Sequence, residues 1–375
     1  MILSYEQVLI RDMARTFARE KIRPFAADWA AAGGFPADVL REMASLGFFG
    51  MTVPPDYDGV GADYVSYALA LMEIAGGDGA LSTLMSVTNS PVCAVLLSTG
   101  TVAQKEQFLR PLARGDHIGA FCLTEPEAGS DASALRSRAR REGDSYILSG
   151  TKQFITSARV AKTAIVFAVT DPGAGKKGLS AFVVPTDLEG FIVDKVEHKM
   201  GQTASDTCAV RFDNMVVPSD CLLGQEGEGY RIALANLESG RIGIAAQSAG
   251  MARAALNYAI DYAKTRESFG KPIFEHQAVG FRLADMAARL EAATQLVLHA
   301  AALKDAREPC LQQACMAKLV ASETAEAVCS AAVQTLGGYG YLSEYHVERI
   351  YRDVRVCQIY EGTSDIQRMI ISRGL

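Results

Sequence analysis

The sequence lacks the residue patterns of several common functional classes. Its formal net charge is −6, so no basic surplus is available to neutralise the phosphates of a nucleic acid. The eight cysteines form no C-x-x-C pair and the five histidines show no H-x-x-x-H spacing, which argues against a zinc site. Cysteines scattered over 375 residues are typical of reduced thiols in a cytosolic compartment. We expect no nucleic-acid partner, no metal and a cytoplasmic location.

A membrane span is also not expected. The stretch 79–104 contains no charged residue, but it includes several Ser and Thr residues and Pro91 in its middle. This polarity favours two buried helices of a soluble bundle over a bilayer span. At the N-terminus, the chain enters a charged amphipathic segment at once, without the apolar run of a signal peptide.

The pattern of hydrophobic and polar residues changes twice along the chain. Residues 1–118 have mainly helical periodicity, and residues 119–228 contain short runs of β-branched and aromatic residues separated by turn clusters. Residues 229–375 return to long, Ala-rich helical patterns. The sequence therefore predicts an α+β fold that is mainly α, with a helical domain, a central β domain and a second helical domain. A single α/β domain is the alternative, but no alternating strand–helix rhythm supports it.

One carboxylate near the C-terminus stands in an unusual context. Glu361 lies between Tyr360 and the run Gly362-Thr363-Ser364-Asp365. A carboxylate in an apolar site is a common tool for removing a proton from carbon. The same run also fits the start of a helix, with Thr363 or Ser364 as N-cap. From local principles alone the helix start is favoured.

A G-x-G-x-x-G string occurs at 173–178. A dinucleotide-binding loop needs a strand before it and a helix N-terminus after it. Here the string lies between two predicted strands, so we interpret it as a hairpin loop.

Two further segments belong to the β domain. The segment 121–131 ends a strand in a loop with Thr124, Gly129 and Ser130, which suits either close approach to a ligand or a simple Pro–Gly turn. The segment 152–157 is a strand that places Phe154 and Thr156 on one face.

Two more segments interrupt the C-terminal helices. The run 265–272 is a polar, cationic loop whose Arg266 could meet a phosphate, although a capped helix–helix turn has the same composition. The run 334–341 contains Gly337, Gly338 and Gly340, which fit either a helix C-cap or close approach to a ligand.

Taken together and in this order, these segments resemble the acyl-CoA dehydrogenases, a family of FAD flavoproteins. The resemblance covers nearly the whole chain. It rests on the matches Gly100-x-x-x-Gln104-Lys105, Leu123-Thr124-Glu125-Pro126-x-Ala128-Gly129-Ser130-Asp131, Gly150-x-Lys152-x-Phe154-Ile155-Thr156, Arg266-x-x-Phe269-Gly270, His276-Gln277, Gln334-x-x-Gly337-Gly338-x-Gly340-Tyr341 and the run from Tyr360 to Gln367. The resemblance implies an N-terminal helical domain, a central β domain and a C-terminal four-helix bundle.

The resemblance also implies the cofactor and the residues that bind it. FAD would lie between the β domain and the C-terminal helices, and a neighbouring subunit would contribute part of its site. The implied FAD-binding residues are Phe121, Leu123, Thr124, Gly129, Ser130, Phe154, Ile155, Thr156, Arg266, Phe269, Gln277, Gln334, Gly337, Gly338, Thr363 and Asp365.

The implied reaction begins at Glu361, which matches the catalytic base of the family. This residue would remove the α-proton of an acyl-CoA while the β-hydrogen leaves as hydride to the flavin, giving a trans-2-enoyl-CoA. The implied substrate contacts are Ser130, Glu238, Arg241 and Gly362. The resemblance further implies a short or short branched acyl chain as substrate and electron-transfer flavoprotein as electron acceptor. It also implies a homotetramer built as a dimer of dimers.

Two departures from the family pattern bear on this expectation. Glu238 stands where many relatives carry aspartate, and Phe154 where several carry tryptophan. A subgroup of isovaleryl-type enzymes places its base one position before the arginine of this helix, where this chain has Gly240. Glu361 therefore remains the matched base.

Two other functions stay open at this point. The fold could serve a flavin oxidase that passes electrons directly to oxygen, or a related flavin enzyme acting on a substrate without CoA. It could also be a helical scaffold without catalysis, although the intact base and FAD segments argue against that.

Overall fold

The computed structural model describes all 375 residues and contains thirteen α-helices. They are α1 (Tyr5–Phe17), α2 (Ala26–Ala32), α3 (Ala37–Ser45), α4 (Tyr64–Gly77), α5 (Gly79–Val87), α6 (Ala94–Thr99), α7 (Val102–Gln104), α8 (Arg110–Arg114), α9 (Gly229–Thr265), α10 (Gln277–Asp305), α11 (Leu311–Leu336), α12 (Val347–Val354) and α13 (Ser364–Ser372).

Ten strands are present, eight of which form the central sheet. They are β1 (Gly119–Cys122), β2 (Arg138–Glu142), β3 (Ser145–Thr156), β4 (Thr163–Val169), β5 (Leu179–Pro185), β6 (Phe191–Val196), β7 (Thr207–Pro218), β8 (Leu222–Leu223), β9 (Glu267–Ser268) and β10 (Lys271–Pro272). The sheet order is β6-β7-β3-β2-β4-β5-β8, and β1 pairs with β4 in parallel. The predicted order of helical, β and helical parts is therefore confirmed. The loop that carries the G-x-G-x-x-G string joins antiparallel β4 and β5, as a hairpin should.

The two helical parts share one hydrophobic core. This core contains 57 buried residues and extends from α1 and α4 of the N-terminal part to α9, α10 and α11 of the C-terminal part. The helix α4 is buried on nearly all sides because it packs against both α1 and α9. The three long C-terminal helices form the centre of the bundle, and the short α12 and α13 pack against α11. The N-terminal and C-terminal helical parts, which the β domain separates in the sequence, therefore pack together as one unit.

The uncharged stretch is interior structure. Gly79–Thr99 is apolar and long enough to cross a membrane by length and composition, but most of it is buried inside the protein. The core helix of a soluble protein passes the same test. Ser90 leaves helical geometry directly before Pro91, which divides the stretch into α5 and α6.

A buried charged cluster joins the three parts. The Arg349 guanidinium of α12 donates to Asp78, the N-cap residue of α5, at 2.9 Å. Asp353, one turn further along α12, accepts from the backbone N–H of Gln202 in the β domain. Burial raises the pKa of Asp353 to about 6, and the neighbouring Asp78 acts in the same direction. This junction fixes the β domain against the helices, and the candidate site lies close to it.

Candidate active site

Glu361 lies in the turn that precedes α13, and its side chain lines a cavity of about 110 Å³. Its backbone has φ of +50°, and that of Gly362 has φ of +94°. A left-handed conformation costs an ordinary residue about 1–2 kcal/mol, so the surrounding structure must hold this turn. Such conformations concentrate at functional sites.

Three side chains hold the turn. Lys318 of α11 is completely buried, and its Nζ donates to the carbonyl of Gly362 at 2.8 Å. The buried Gln367 of α13 donates to the carbonyls of Glu361 at 3.2 Å and Gly362 at 2.9 Å. Thr363 caps α13, because its hydroxyl accepts from the N–H of Ile366. The run therefore begins a helix, as one sequence interpretation predicts, and also presents a carboxylate to the cavity.

Glu361 is half-buried, with Oε2 of its carboxylate out of contact with water, and two cations lie close to the carboxylate. Burial raises its pKa to about 7, and the positive charges of Arg241 and Lys318 act in the opposite direction. Oε2 of Glu361 is buried and accepts no hydrogen bond from this chain. Its position is possible because residue 240 is a glycine, since a β-carbon there would overlap Oε2. A carboxylate with this pKa and a free oxygen is suited to general-base chemistry.

The cavity walls come from all three parts of the chain. The N-terminal helices and α9 supply apolar side chains and two hydroxyls, and the β domain supplies two aromatic rings. Beside Tyr360 and Glu361, the lining residues are Thr83, Ser86, Val87, Pro91, Phe121, Phe154, Thr156, Leu237 and Ile244.

Two predicted segments of the β domain meet at this cavity. The carbonyl of Thr124, after β1, accepts from the N–H of Gln153 in β3 at 2.9 Å. Phe154 has φ of +60° at a bulge in β3, and the residue is 63% exposed. Thr156 lies on the same wall, as period-two alternation predicts. Ile155 packs into the core of the sheet, so its side chain does not reach the cavity.

A buried ion pair supports this edge of the sheet. Nζ of Lys152 donates to Oε1 of Glu125 at 2.7 Å and to the carbonyl of Leu123 at 3.2 Å. The Glu125 carboxylate also accepts from the N–H groups of Arg136 and Ser137. The pair therefore fixes the loop after β1. Both residues belong to the motifs that carry the family resemblance, but the sequence predicts no role for them. The available signal is a lysine inside a strand that has a buried face.

The rest of that loop faces solvent. Gly129 and Ser130 are exposed, and no atom lies within 4 Å of where a β-carbon of Gly129 would be. Leu123 packs partly against the sheet. The exposed loop leaves Ser130 accessible to a ligand.

A second cavity, of about 430 Å³, collects predicted residues from the C-terminal part. Arg266, at the end of α9, lies there beside Gly337 and Gly338, which follow α11. The N–H of Gly337 caps the helix by donating to the carbonyl of Gln334. The Arg266 guanidinium lies 5.7 Å from the centre of the Tyr339 ring. A cation next to exposed backbone is suited to a phosphate group.

Among the predicted FAD contacts that line neither cavity, three are clearly exposed. Phe269 is 95% exposed, Gln277 is exposed at the start of α10, and the Asp365 side chain is 93% exposed beside Arg368. Their assignments remain predictions.

The two predicted substrate contacts on α9 point into the protein. Oε1 of Glu238 accepts from Nζ of Lys304 at 2.9 Å and from Sγ of Cys310 at 3.2 Å. Arg241 is 4% exposed, and its Nε has no partner. The longer arm of Glu238 is thus used in an ion pair with α10, while Arg241 supplies positive charge near Glu361.

The first cavity fits one face of a flavin. Phe121 and Phe154 offer aromatic surface, and the hydroxyl of Thr156 offers a directed hydrogen bond. An exposed aromatic ring beside a cavity leaves apolar surface that a planar ring system would cover. The second cavity fits the diphosphate, as the position of Arg266 indicates.

Three domain models of one protein family match successive parts of this chain. The N-terminal domain model of acyl-CoA dehydrogenases matches residues 4–116, the middle domain model 120–215 and the C-terminal domain model 227–375. An acyl-CoA dehydrogenase of Bacillus subtilis is 48% identical over 375 residues, covering 100% of this chain and 99% of that protein. The mitochondrial short-chain specific acyl-CoA dehydrogenase of Bos taurus is 45% identical, covering 98% of this chain and 89% of that protein. The Caffeyl-CoA reductase-Etf complex subunit CarC of Acetobacterium woodii is 43% identical, covering 99% of this chain and 98% of that protein.

Solved structures agree. Butyryl-CoA dehydrogenase from Megasphaera elsdenii has a TM-score of 0.98 and 41% identity, covering 100% of this chain and 99% of that one. A glutaryl-CoA dehydrogenase from Mycobacterium smegmatis, solved in complex with FADH2, has a TM-score of 0.94 and 33% identity, covering 99% of this chain and 95% of that one. The chain belongs to the acyl-CoA dehydrogenase family and is an FAD-dependent oxidoreductase.

Proposed function

We propose that this enzyme oxidises the Cα–Cβ bond of a short acyl-CoA and that Glu361 removes the α-proton. The observation that carries the proposal is the Glu361 carboxylate, whose Oε2 is buried without a hydrogen-bond partner from the chain and whose pKa is raised to about 7. A general base works best when its pKa is close to the working pH, because it is then both ionised and basic.

The backbone beside the base supports the same step. The N–H of Glu361 donates to no atom of the chain, whereas the carbonyls of Glu361 and Gly362 are engaged by Gln367. A free N–H next to the base can donate to the thioester oxygen as negative charge develops there. That interaction makes the α-proton more acidic at the moment when Glu361 accepts it.

FAD, when bound, supplies the acceptor for the β-hydrogen, which leaves as hydride. Phe121, Phe154 and Thr156 would hold it against the substrate. The apolar side chains of the cavity exclude water, which strengthens the electrostatic contacts of the base and the N–H.

A short acyl chain suits the depth of the cavity. Ser86 lies on the wall, and behind it the hydroxyl of the fully buried Tyr67 lies 3.4 Å from the Ser86 hydroxyl. Gly243 of α9 faces both groups, since a β-carbon there would lie 2.9 Å from the Ser86 hydroxyl. A longer chain would have to displace these well-packed side chains.

A second copy of the chain would complete the FAD site. The two cavities have no lining residue in common. We infer that one FAD uses the first cavity of one protomer and the second cavity of its partner, within a homotetramer. The exposed aromatic side chains near the second cavity, among them Phe269 and Tyr341, support contact with another copy.

We propose electron-transfer flavoprotein as the electron acceptor, and we propose that the enzyme acts in solution. The naming of one relative as part of a complex with Etf supports this partner. A direct oxidase is the competing outcome, and it would show rapid reoxidation of the reduced flavin in air.

The test is anaerobic mixing of the FAD-bound enzyme with acyl-CoA thioesters of increasing length, with flavin bleaching as the signal. Butyryl-CoA should bleach the flavin, chains well beyond six carbons should bleach it slowly, and Glu361→Gln should lose bleaching with every chain. Glu6→Gln, an exposed residue of α1, is the matched control. Bleaching by Glu361→Gln at the parent rate, or no bleaching of the parent enzyme by any acyl-CoA, would refute the proposal.

A further inference from the structure

The most unusual charge in the helical core is Lys318. It lies in the N-terminal third of α11, it is 0% exposed, and its ammonium makes one hydrogen bond, to the carbonyl of Gly362. No carboxylate lies within ion-pair distance of its ammonium. Burial lowers the pKa of Lys318 to about 8, while the nearby Cys357 and Glu361 favour its charged form. A buried, unpaired cation is expensive, so an apolar residue would serve the packing of α11 better.

The hydrogen bond of Lys318 ends at the turn that carries the base. Gly362 follows Glu361 directly, and both residues have left-handed backbones. A β-carbon at Gly362 would lie 2.7 Å from Nε2 of Gln367, so the turn is tightly enclosed from that side. The hydrogen bond from Lys318 connects the turn to α11, which is a separate helix.

We propose that Lys318 is a positioning residue for the Glu361 base: it fixes the Gly362 carbonyl and, as a cation, favours the ionised form of the carboxylate. This inference rests on the proposed role of Glu361 and extends it to a residue that touches neither substrate nor cofactor.

Other charged groups face the same carboxylate and must be kept constant in the test. Arg241 on α9 contributes positive charge, and the Tyr67 hydroxyl on α4 lies near enough to interact with it. Around Lys318 itself, Cys315 on α11 and Cys357 before the turn are the remaining titratable groups. Arg241 has no hydrogen bond to the turn, which distinguishes its role from that of Lys318.

The main variant is Lys318→Met, which removes the charge and the donor but keeps the length of the side chain. We expect kcat to fall about 10-fold or more with KM near that of the parent, because a charge-assisted hydrogen bond to the base turn is lost. The acidic limb of the kcat/KM profile should move upward by about 1 pH unit, since removing a cation makes the carboxylate harder to ionise. Lys318→Arg should restore part of the lost kcat and should return the acidic limb part of the way to its parent position.

A readout independent of turnover is the carboxylic-acid band of Glu361 in infrared difference spectra against Glu361→Gln. Its titration should move to higher pH in Lys318→Met. Ser322→Ala, one turn further along the same helix and also buried, is the control for packing and should leave both titrations unchanged.

Lys318→Gln is the second variant, in case Lys318→Met does not fold. It keeps a donor and loses the charge, so its acidic limb must also move upward. An acidic limb that coincides with that of the parent in the folded neutral variants overturns the inference. If Glu361→Gln is fully active, the proposed function itself fails; if it is inactive while the neutral Lys318 variants match the parent, only the role of Lys318 is refuted.

Discussion

The Glu361 carboxylate occupies the space that a side chain at Gly240 would need. Oε2 of Glu361 lies against the backbone of α9 at this position, and a β-carbon there would overlap it. The two residues are far apart in sequence and come together because α13 and its preceding turn pack over α9 and α11. The carboxylate of Glu361 can therefore occupy this position only because residue 240 has no side chain.

Gly240→Ala should displace the base without removing it. We expect kcat with butyryl-CoA to fall about 100-fold, because a misplacement of about 1 Å at a reacting group has effects of that size. Steady-state kinetics and flavin absorbance of the purified variant measure the loss and the retention of FAD. Gly76→Ala in α4 is the matched control, since its β-carbon would make only ordinary contacts. Parent-like kcat in Gly240→Ala would show that the carboxylate is not held where the structure places it.

The activity should depend on pH through Glu361. Only the ionised carboxylate accepts a proton, and burial raises its pKa to about 7. The kcat/KM value should therefore fall as the pH decreases through about 7, because kcat/KM reports ionisations of the free enzyme. A profile that stays flat down to pH 5 would contradict an elevated pKa of the base.

Arg266→Met should weaken FAD binding and leave the fold intact. The lost contact to a phosphate is a charge-assisted hydrogen bond worth about 1.5–3 kcal/mol, or a decrease in affinity of about 10- to 150-fold. Flavin release on dilution, followed by fluorescence, measures it. Arg19→Met, an exposed residue in the N-terminal part, should release no additional flavin. Equal flavin release by both variants would remove Arg266 from the cofactor site.

The order of helical, β and helical parts could be predicted from the sequence because helical and strand periodicities differ over whole segments. Strand alternation also placed Phe154 and Thr156 on one wall. The shared core of the helical parts could not be predicted, since an Ala-rich helix such as α9 shows no single apolar face. Lys318 and Gln367 were missed for a related reason: their hydrogen bonds join residues whose proximity only the tertiary fold creates.

The ion pair of Lys152 and Glu125 should matter for stability. Glu125→Gln leaves a buried lysine without its counter-charge, which typically costs about 3–5 kcal/mol. Thermal unfolding should show a clear loss, and the double variant Glu125→Gln/Lys152→Met should recover part of it. Glu42→Gln removes an exposed pair with Lys21 and should change stability by about 0–1 kcal/mol. If Glu125→Gln is no more costly than Glu42→Gln, the pair does not support the loop after β1.

The most direct test of the central claim isolates proton removal from hydride transfer. Acetyl-CoA has α-hydrogens but no β-carbon, so in D2O the FAD-bound enzyme can exchange its methyl protons without oxidising it. We predict that the parent enzyme catalyses this exchange, followed by the loss of the methyl proton signal in NMR spectra. Glu361→Gln should be slower by about 10²- to 10⁴-fold, the usual contribution of a general base. Exchange at the same rate in both proteins would contradict the assignment of Glu361 as the base.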